Sequence, residues 1–189
     1  MVIPPSTFKV IAKAIAGEPH LLPTPDGCLQ FSYEDGLAVV VLDDNDRPVG
    51  YSRLQVILGC GHPDGGWYEL GSTWVHPQHR GNGVNLQMYR LLLPLHTEKN
   101  ILATTTNGAS IHVGEQIGLV VIGRKELREK VWQASCCCPC SKTGASKPKN
   151  EDCQLAHGEP QKRTGVPSCW FRVTPQTAER LNLVSALAS

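Results

Sequence analysis

The sequence carries no surplus of charge, no long apolar run and no internal repeat. Its 189 residues hold 18 Lys and Arg against 17 Asp and Glu, a formal charge of +1. Nothing global therefore draws the chain to nucleic acid or to an anionic membrane, and any recognition of an anion must be local. No stretch reaches the roughly 20 apolar residues that span a bilayer. Residues 1–17 place prolines where a signal peptide has its basic region, and lysines interrupt the apolar positions. The expected compartment is therefore the cytoplasm. The lack of a repeat excludes a solenoid or a propeller.

What is present fits a soluble globular protein: 41% hydrophobic and 19% charged residues. The length is enough for one domain with a substantial core and barely enough for two. Residues 6–16 read as an amphipathic helix, with Ile11, Ala14 and Ile15 on one side. A Pro- and Gly-rich loop runs from Glu18 to Gly27. Leu37–Leu42 and Pro48–Ile57 form a predicted hairpin around Asp43–Asp46. A further strand, Trp67–Val75, leads into a helix that Pro94 ends or kinks. Asn100–Thr106 reads as a strand parallel to Trp67–Val75, and Ala109–Ile117 as a helix closed by Gly118. Leu119–Ile122 begins another strand, with an extension through Leu127 open. Cys169–Val173 and a helix from Pro175 complete the chain.

The most informative segment joins the Trp67–Val75 strand to its helix: Val75-His76-Pro77-Gln78-His79-Arg80-Gly81-Asn82-Gly83-Val84-Asn85. A strand, a basic glycine-spaced turn and a helix in immediate succession expose backbone N–H groups where they can hold a phosphate. Arg80 adds a cation. Gly81 and Gly83 keep Cβ atoms away from a ligand. The first turn of the helix holds no acidic residue to compete with an anion.

This segment resembles the cofactor signature of the GCN5-related N-acetyltransferase (GNAT) superfamily, Gln or Arg, two residues, Gly, one residue, then Gly or Ala. Here it reads Arg80-Gly81-Asn82-Gly83-Val84-Asn85. The preceding Glu69–Pro77 is similar to that family's fourth strand with its Val-x-Pro exit. Asn107–Leu119 is similar to its following helix, written Asn-x-x-Ala-x-x-x-Tyr-x-x-x-Gly-Phe. The resemblance covers residues 37–127 and a final strand near 169–173.

The resemblance implies an α/β (α+β) fold: a central mixed, splayed sheet flanked by helices. It would form a single N-acetyltransferase-like domain over residues 1–189, with a core at about 30–127 plus 169–185. Residues 128–168 would be a polar, cysteine-containing insertion before the last strand. It also implies acetyl-CoA as cosubstrate, its pyrophosphate on the N–H groups of residues 80–85. The pantetheine arm would pair with the backbone of Trp74 and Val75 like an added strand, with Asn107 beside it. The implied reaction is acetyl transfer to an amine of a small molecule or peptide, by direct attack in a ternary complex. Neither nucleic acid nor membrane is an expected partner.

Two departures stand out. Asn85 replaces the last small residue of the signature, and Gly114 stands where the family's thiolate-protonating tyrosine falls. Glu69 is the candidate base, because strand alternation can aim it at the cleft. The competing reading makes it a salt-bridged strand carboxylate. His112 is the candidate acid or substrate ligand, set against a surface or packing role. Trp67, Tyr68 and Trp74 line either a pocket or the core. An acyl-CoA-binding domain with reduced catalysis, recruiting a partner through its cysteine loop, is the alternative function, motivated by Gly114. Acyl-homoserine-lactone synthesis is a further relative, but it lacks the glycine cradle.

Six of the eight cysteines crowd residues 136–169. Cys137, Cys140, Cys153 and His157 have the spacing of a four-ligand structural zinc site. The segment Ser141–Ser168 has almost no large apolar residue besides Leu155 and Val166, so a metal would supply the order that a core cannot. Reduced thiols and a redox or disulfide pairing remain open beside it. The intervening residues lack the hydrophobic positions of a DNA-reading finger.

Overall fold

The computed structural model describes residues 2–18, 21–62, 66–105, 107–122, 126–135 and 170–183. Among the described residues six strands and six helices follow in this order: α1 (Pro5–Gly17), α2 (Asp26–Glu34), β1 (Ala38–Leu42), β2 (Pro48–Leu58), β3 (Trp67–Val75), α3 (Val84–Leu92), β4 (Asn100–Thr105), α4 (Gly108–Gln116), β5 (Val120–Val121), α5 (Glu129–Ser135), β6 (Trp170–Val173) and α6 (Pro175–Arg180). The strands form one mixed sheet in the order β1-β2-β3-β4-β6-β5. The β3/β4 pair is parallel, with Trp67 opposite Asn100 and Glu69 opposite Leu102. The β1/β2, β4/β6 and β5/β6 pairs are antiparallel. Among the described residues no helix is long and apolar enough to cross a membrane.

The chain divides into two compact units: Met1–Gln55 with Leu70–His96, and Val56–Glu69 with Thr97–Ser189. In the first, α1 starts on Pro5, whose missing N–H is no loss at that position. Its Phe8, Ile11 and Ile15, at helical spacing, are buried with Leu29, Ala38, Tyr51 and Trp74. Each such side chain contributes about 1.5–3 kcal/mol on burial. Gly50 of β2 faces α3. Gly50 is there because a Cβ would lie 2.7 Å from Val84 Cγ1 and 3.0 Å from Met88 Sδ. Odd-numbered Tyr51 and Arg53 face the other way, with bonds to Leu29 and Ser32 of α2.

In the second unit Trp67, Leu102, Ile122, Leu127, Val131, Phe171, Val173 and Ala178 form the core. Thr174 caps α6 with a bond from Thr177 N, and Thr177 Oγ1 accepts from Ile101 N at 2.9 Å. Three expectations from the sequence fail, here and in α2. Asp26–Glu34 is a helix whose first two residues fall in the expected Glu18–Gly27 loop and whose remainder has no expected element; only its Leu29 and Ser32 are buried, so it shows no apolar stripe. Glu129–Ser135, assigned to the inserted loop, is a helix held by Val131 in the core. The strand at Leu119–Ile122 is only Val120–Val121 and does not continue to Leu127, which instead packs into the core.

Candidate functional site

In the first unit the strand–turn–helix segment is built as its residues dictate. His76 Nδ1 accepts from Gln78 N, and Pro77–His79 form a single 3-10 turn. Gly81 and Gly83 then take φ of +81° and +77°, in the left-handed region that side chains disfavour. No atom lies within 4 Å of a Cβ built at either glycine, so backbone conformation, not crowding, requires them. The first helical bond of α3 runs from Gln87 N to Gly83 O at 2.9 Å. Among the described residues the N–H groups of Gly81, Asn82, Gly83, Val84, Asn85 and Leu86 have no acceptor. Successive free N–H groups at the positive end of a helix fit a phosphate.

Arg80, expected as a cation beside the turn, also braces the segment. Its Nε donates to Val75 O at 3.1 Å and its Nη2 pairs with Glu18, so it ties the strand exit to the loop after α1. Val84 is buried and anchors the helix start. Asn85 Oδ1 is buried with no hydrogen-bond partner among the described residues. An oxygen acceptor repels phosphate oxygens, so Asn85 can serve the cradle only through donors, its backbone N–H or its side-chain Nδ2. Trp74 is core, 3% exposed, as are Trp67 and Tyr68, so none offers an aromatic pocket wall.

In the second unit Glu69 is half-buried on β3 and accepts from Thr104 Oγ1 at 2.6 Å. The short bond is charge-assisted and orients the carboxylate. Asn107 is exposed and caps α4, its Oδ1 accepting from Ala109 N at 2.9 Å. His112 is exposed as well; its ring meets Gln116 Nε2 at 3.1 Å and lies 3.6 Å from Glu115. That setting favours a solvated helix face over a buried proton donor.

Gly114 has a physical explanation that the sequence concealed. A Cβ there would fall 1.9 Å from Arg172 Nη1 and 2.9 Å from its Cζ. Arg172, on β6 and 2% exposed, donates through Nη1 to Ser110 O at 2.9 Å and Ile111 O at 3.2 Å. The guanidinium fills the room a tyrosine would need. Thr104 and Arg172 both escaped the sequence reading. Thr104 sat in a run read only as β-branched, and an arginine inside the apolar Trp170–Val173 strand was the available signal for the second.

Cys137, Cys140, Cys153 and His157 lie outside the described residues, as does the polar insertion beyond residue 135. Among the described residues no group of three His, Cys, Asp or Glu could hold a metal ion. Cys28 and Cys60 are both exposed and free.

A mixed sheet with a parallel strand pair, and a strand–turn–helix segment presenting consecutive N–H groups, defines an α/β protein. The acetyltransferase (GNAT) family model matches residues 12–119, more than half of the chain, and the protein belongs to that family. No curated protein matches the sequence. Solved structures similar in fold include Rv2747 of Mycobacterium tuberculosis in complex with CoA and NLQ. It is 16% identical, with a TM-score of 0.53 over 73% of this chain and 78% of that one. A phosphinothricin acetyltransferase from Sinorhizobium meliloti in complex with AcCoA is 17% identical, TM-score 0.51, over 64% and 73%. NAA60 of Arabidopsis thaliana with a bisubstrate analogue is 11% identical, TM-score 0.50, over 65% and 83%. Identities this low establish a shared fold and no more.

Proposed function

We propose that this acetyltransferase moves an acetyl group from acetyl-CoA to an amine, by direct attack with both substrates bound. The run of free N–H groups from Gly81 to Leu86 carries the reading, because it fits the pyrophosphate of CoA without any counter-cation. Backbone at Trp74 and Val75 pairs with the pantetheine arm as an added strand would. When bound, acetyl-CoA supplies an activated acyl group. Glu69, oriented by Thr104, accepts the amine proton through one water as the C–N bond forms and the C–S bond breaks. We assign no general acid, since Gly114 offers only backbone and His112 stands in solvent; the departing thiolate takes its proton from water.

Calorimetry with acetyl-CoA, followed by thiol release over a panel of amines and peptides, tests this. Binding and turnover are expected, with kcat lowered by about 10²–10⁴ in Glu69→Gln. Undiminished turnover in that variant removes Glu69 as base, and no binding of acetyl-CoA removes the reading as a whole. The buried Arg172 beside Gly114 favours one second reading, an acyl-CoA-binding domain with reduced catalysis. Tight binding without turnover on any acceptor would establish it.

A further inference from the structure

The first unit buries a cation that acetyl transfer, as described, leaves unused. Arg53 on β2 is 8% exposed. Its Nε donates to Ser72 Oγ at 3.2 Å, its Nη1 to Ser32 Oγ at 3.4 Å and its Nη2 to Gln55 Oε1 at 2.8 Å. All three acceptors are neutral. Among the described residues no carboxylate forms an ion pair with it. Ser32 spends its own proton on Cys28 O at 2.9 Å, which leaves lone pairs for the guanidinium. Tyr51, on the same face of β2, stays neutral. Burial pushes its hydroxyl above the usual tyrosine range, and that hydroxyl donates to Leu29 O.

A guanidinium does not shed its charge, and a buried charge solvated only by neutral dipoles is an unfavourable arrangement. The surrounding backbone is also strained. Ser72 has φ of +49° in the middle of β3, a conformation that persists in a non-glycine residue only where its surroundings impose it. Thr73 faces the opposite side, in contact with Ser52 and Tyr89, as strand alternation requires, while Ser72 Oγ accepts from Arg53 Nε. A guanidinium has five N–H donors. With three engaged, one remains on each terminal nitrogen, a pair that the two oxygens of a carboxylate can accept.

We infer that Arg53 holds a carboxylate on the acceptor, so that the amine substrate is a small carboxylate-bearing molecule of the amino-acid type. This deepens the acetyl-transfer reading and rests on it. Among the described residues no lysine or second arginine shares its acceptors, and one cation matches a single negative charge better than a phosphate dianion. Ser72 also precedes Val75 by three residues, roughly 10 Å along the strand. The cation therefore lies a small molecule's length from the backbone assigned to the pantetheine arm.

The test uses the full-length protein with acetyl-CoA and the common amino acids, each paired with its α-carboxamide. Thiol release reads turnover, and calorimetry in the presence of CoA reads binding without turnover. At least one amino acid should outperform its amide by about tenfold or more in KM or Kd. Arg53→Gln should erase that ratio while leaving acetyl-CoA affinity unchanged, and Arg53→Lys should keep part of it. Equal handling of acids and amides overturns the proposal, and so does a preference that survives in Arg53→Gln. Binding of acetyl-CoA with no amino acid bound or acetylated overturns it too. Loss of acetyl-CoA binding in the unaltered protein would instead strike the acetyl-transfer reading. If Arg53→Gln does not fold, the acid–amide comparison in the unaltered protein and in Arg53→Lys decides the matter.

Discussion

Alanine in place of Gly114 tests the packing of the second unit by the sign of its effect. In an ordinary helix interior the change gains about 1 kcal/mol from propensity. Here the new Cβ would meet Arg172 Nη1 at 1.9 Å, Cζ at 2.9 Å and Leu119 Cδ1 at 3.2 Å. The guanidinium must move, and it is 2% exposed, so it has little space to enter. Overpacking a filled interior costs about 1–3 kcal/mol, and each bond from a charged donor that breaks costs about 1.5–3 kcal/mol. Overpacking and loss of one of the two bonds to Ser110 O and Ile111 O together outweigh the propensity gain by about 1.5–5 kcal/mol. For a chain of this length that lowers Tm by roughly 3–20 °C. Urea titration followed by circular dichroism measures it, and Arg172→Leu supplies the control. In that background the guanidinium is gone and Gly114→Ala should be neutral or stabilising, a coupling above about 1 kcal/mol. Equal or greater stability of Gly114→Ala alone would refute the account, as would the same loss in both backgrounds.

Gly83→Ala should cost about 1–2 kcal/mol of backbone strain at φ +77° and weaken acetyl-CoA binding by about tenfold or more. Gly83→Asn should lose less, since asparagine tolerates that region; calorimetry would show the order, and equal losses would mean that crowding governs the site. Gly50→Ala drives a Cβ to 2.7 Å from Val84 Cγ1, and about 1–3 kcal/mol of destabilisation is expected in urea titration. No change there would mean that α3 shifts freely. Asp43 has its carboxyl pulled from 3.8 to about 2, first by the side-chain bond from Arg47. Because the folded value lies below the unfolded one, its small contribution is present above about 3.8 and is lost as pH falls through about 2. An NMR titration of Asp43 should show this midpoint and its return toward 3.8 in Arg47→Ala; an ordinary midpoint in the unaltered protein would break the assignment.

The local features were legible in the residues themselves. Alternation and turn chemistry act over a few positions, so Trp67–Val75 was read with the bounds that the structure shows. Gly118 closes α4 at φ +75°, as a glycine after a helix does. The glycine turn needed no tertiary knowledge either, because positive φ at Gly81 and Gly83 is a property of those two residues and their neighbours. The helix Asp26–Glu34 was not legible, because it buries only Leu29 and Ser32 and so shows no period. The slot of β6 between β4 and β5 depends on pairings such as Ala103 with Arg172 that no local pattern encodes.

The site divides in the same way. The sequence alone determined a glycine turn before a helix and a candidate carboxylate, since both follow from residue type and spacing. Only the tertiary structure decided what surrounds them. It braced Arg80 on Glu18, gave Glu69 its Thr104 partner and filled the space beside Gly114 with Arg172. It also buried Arg53 among neutral oxygens. Charges are paired, spent or left uncompensated by chain segments far apart in sequence, and burial sets the worth of each.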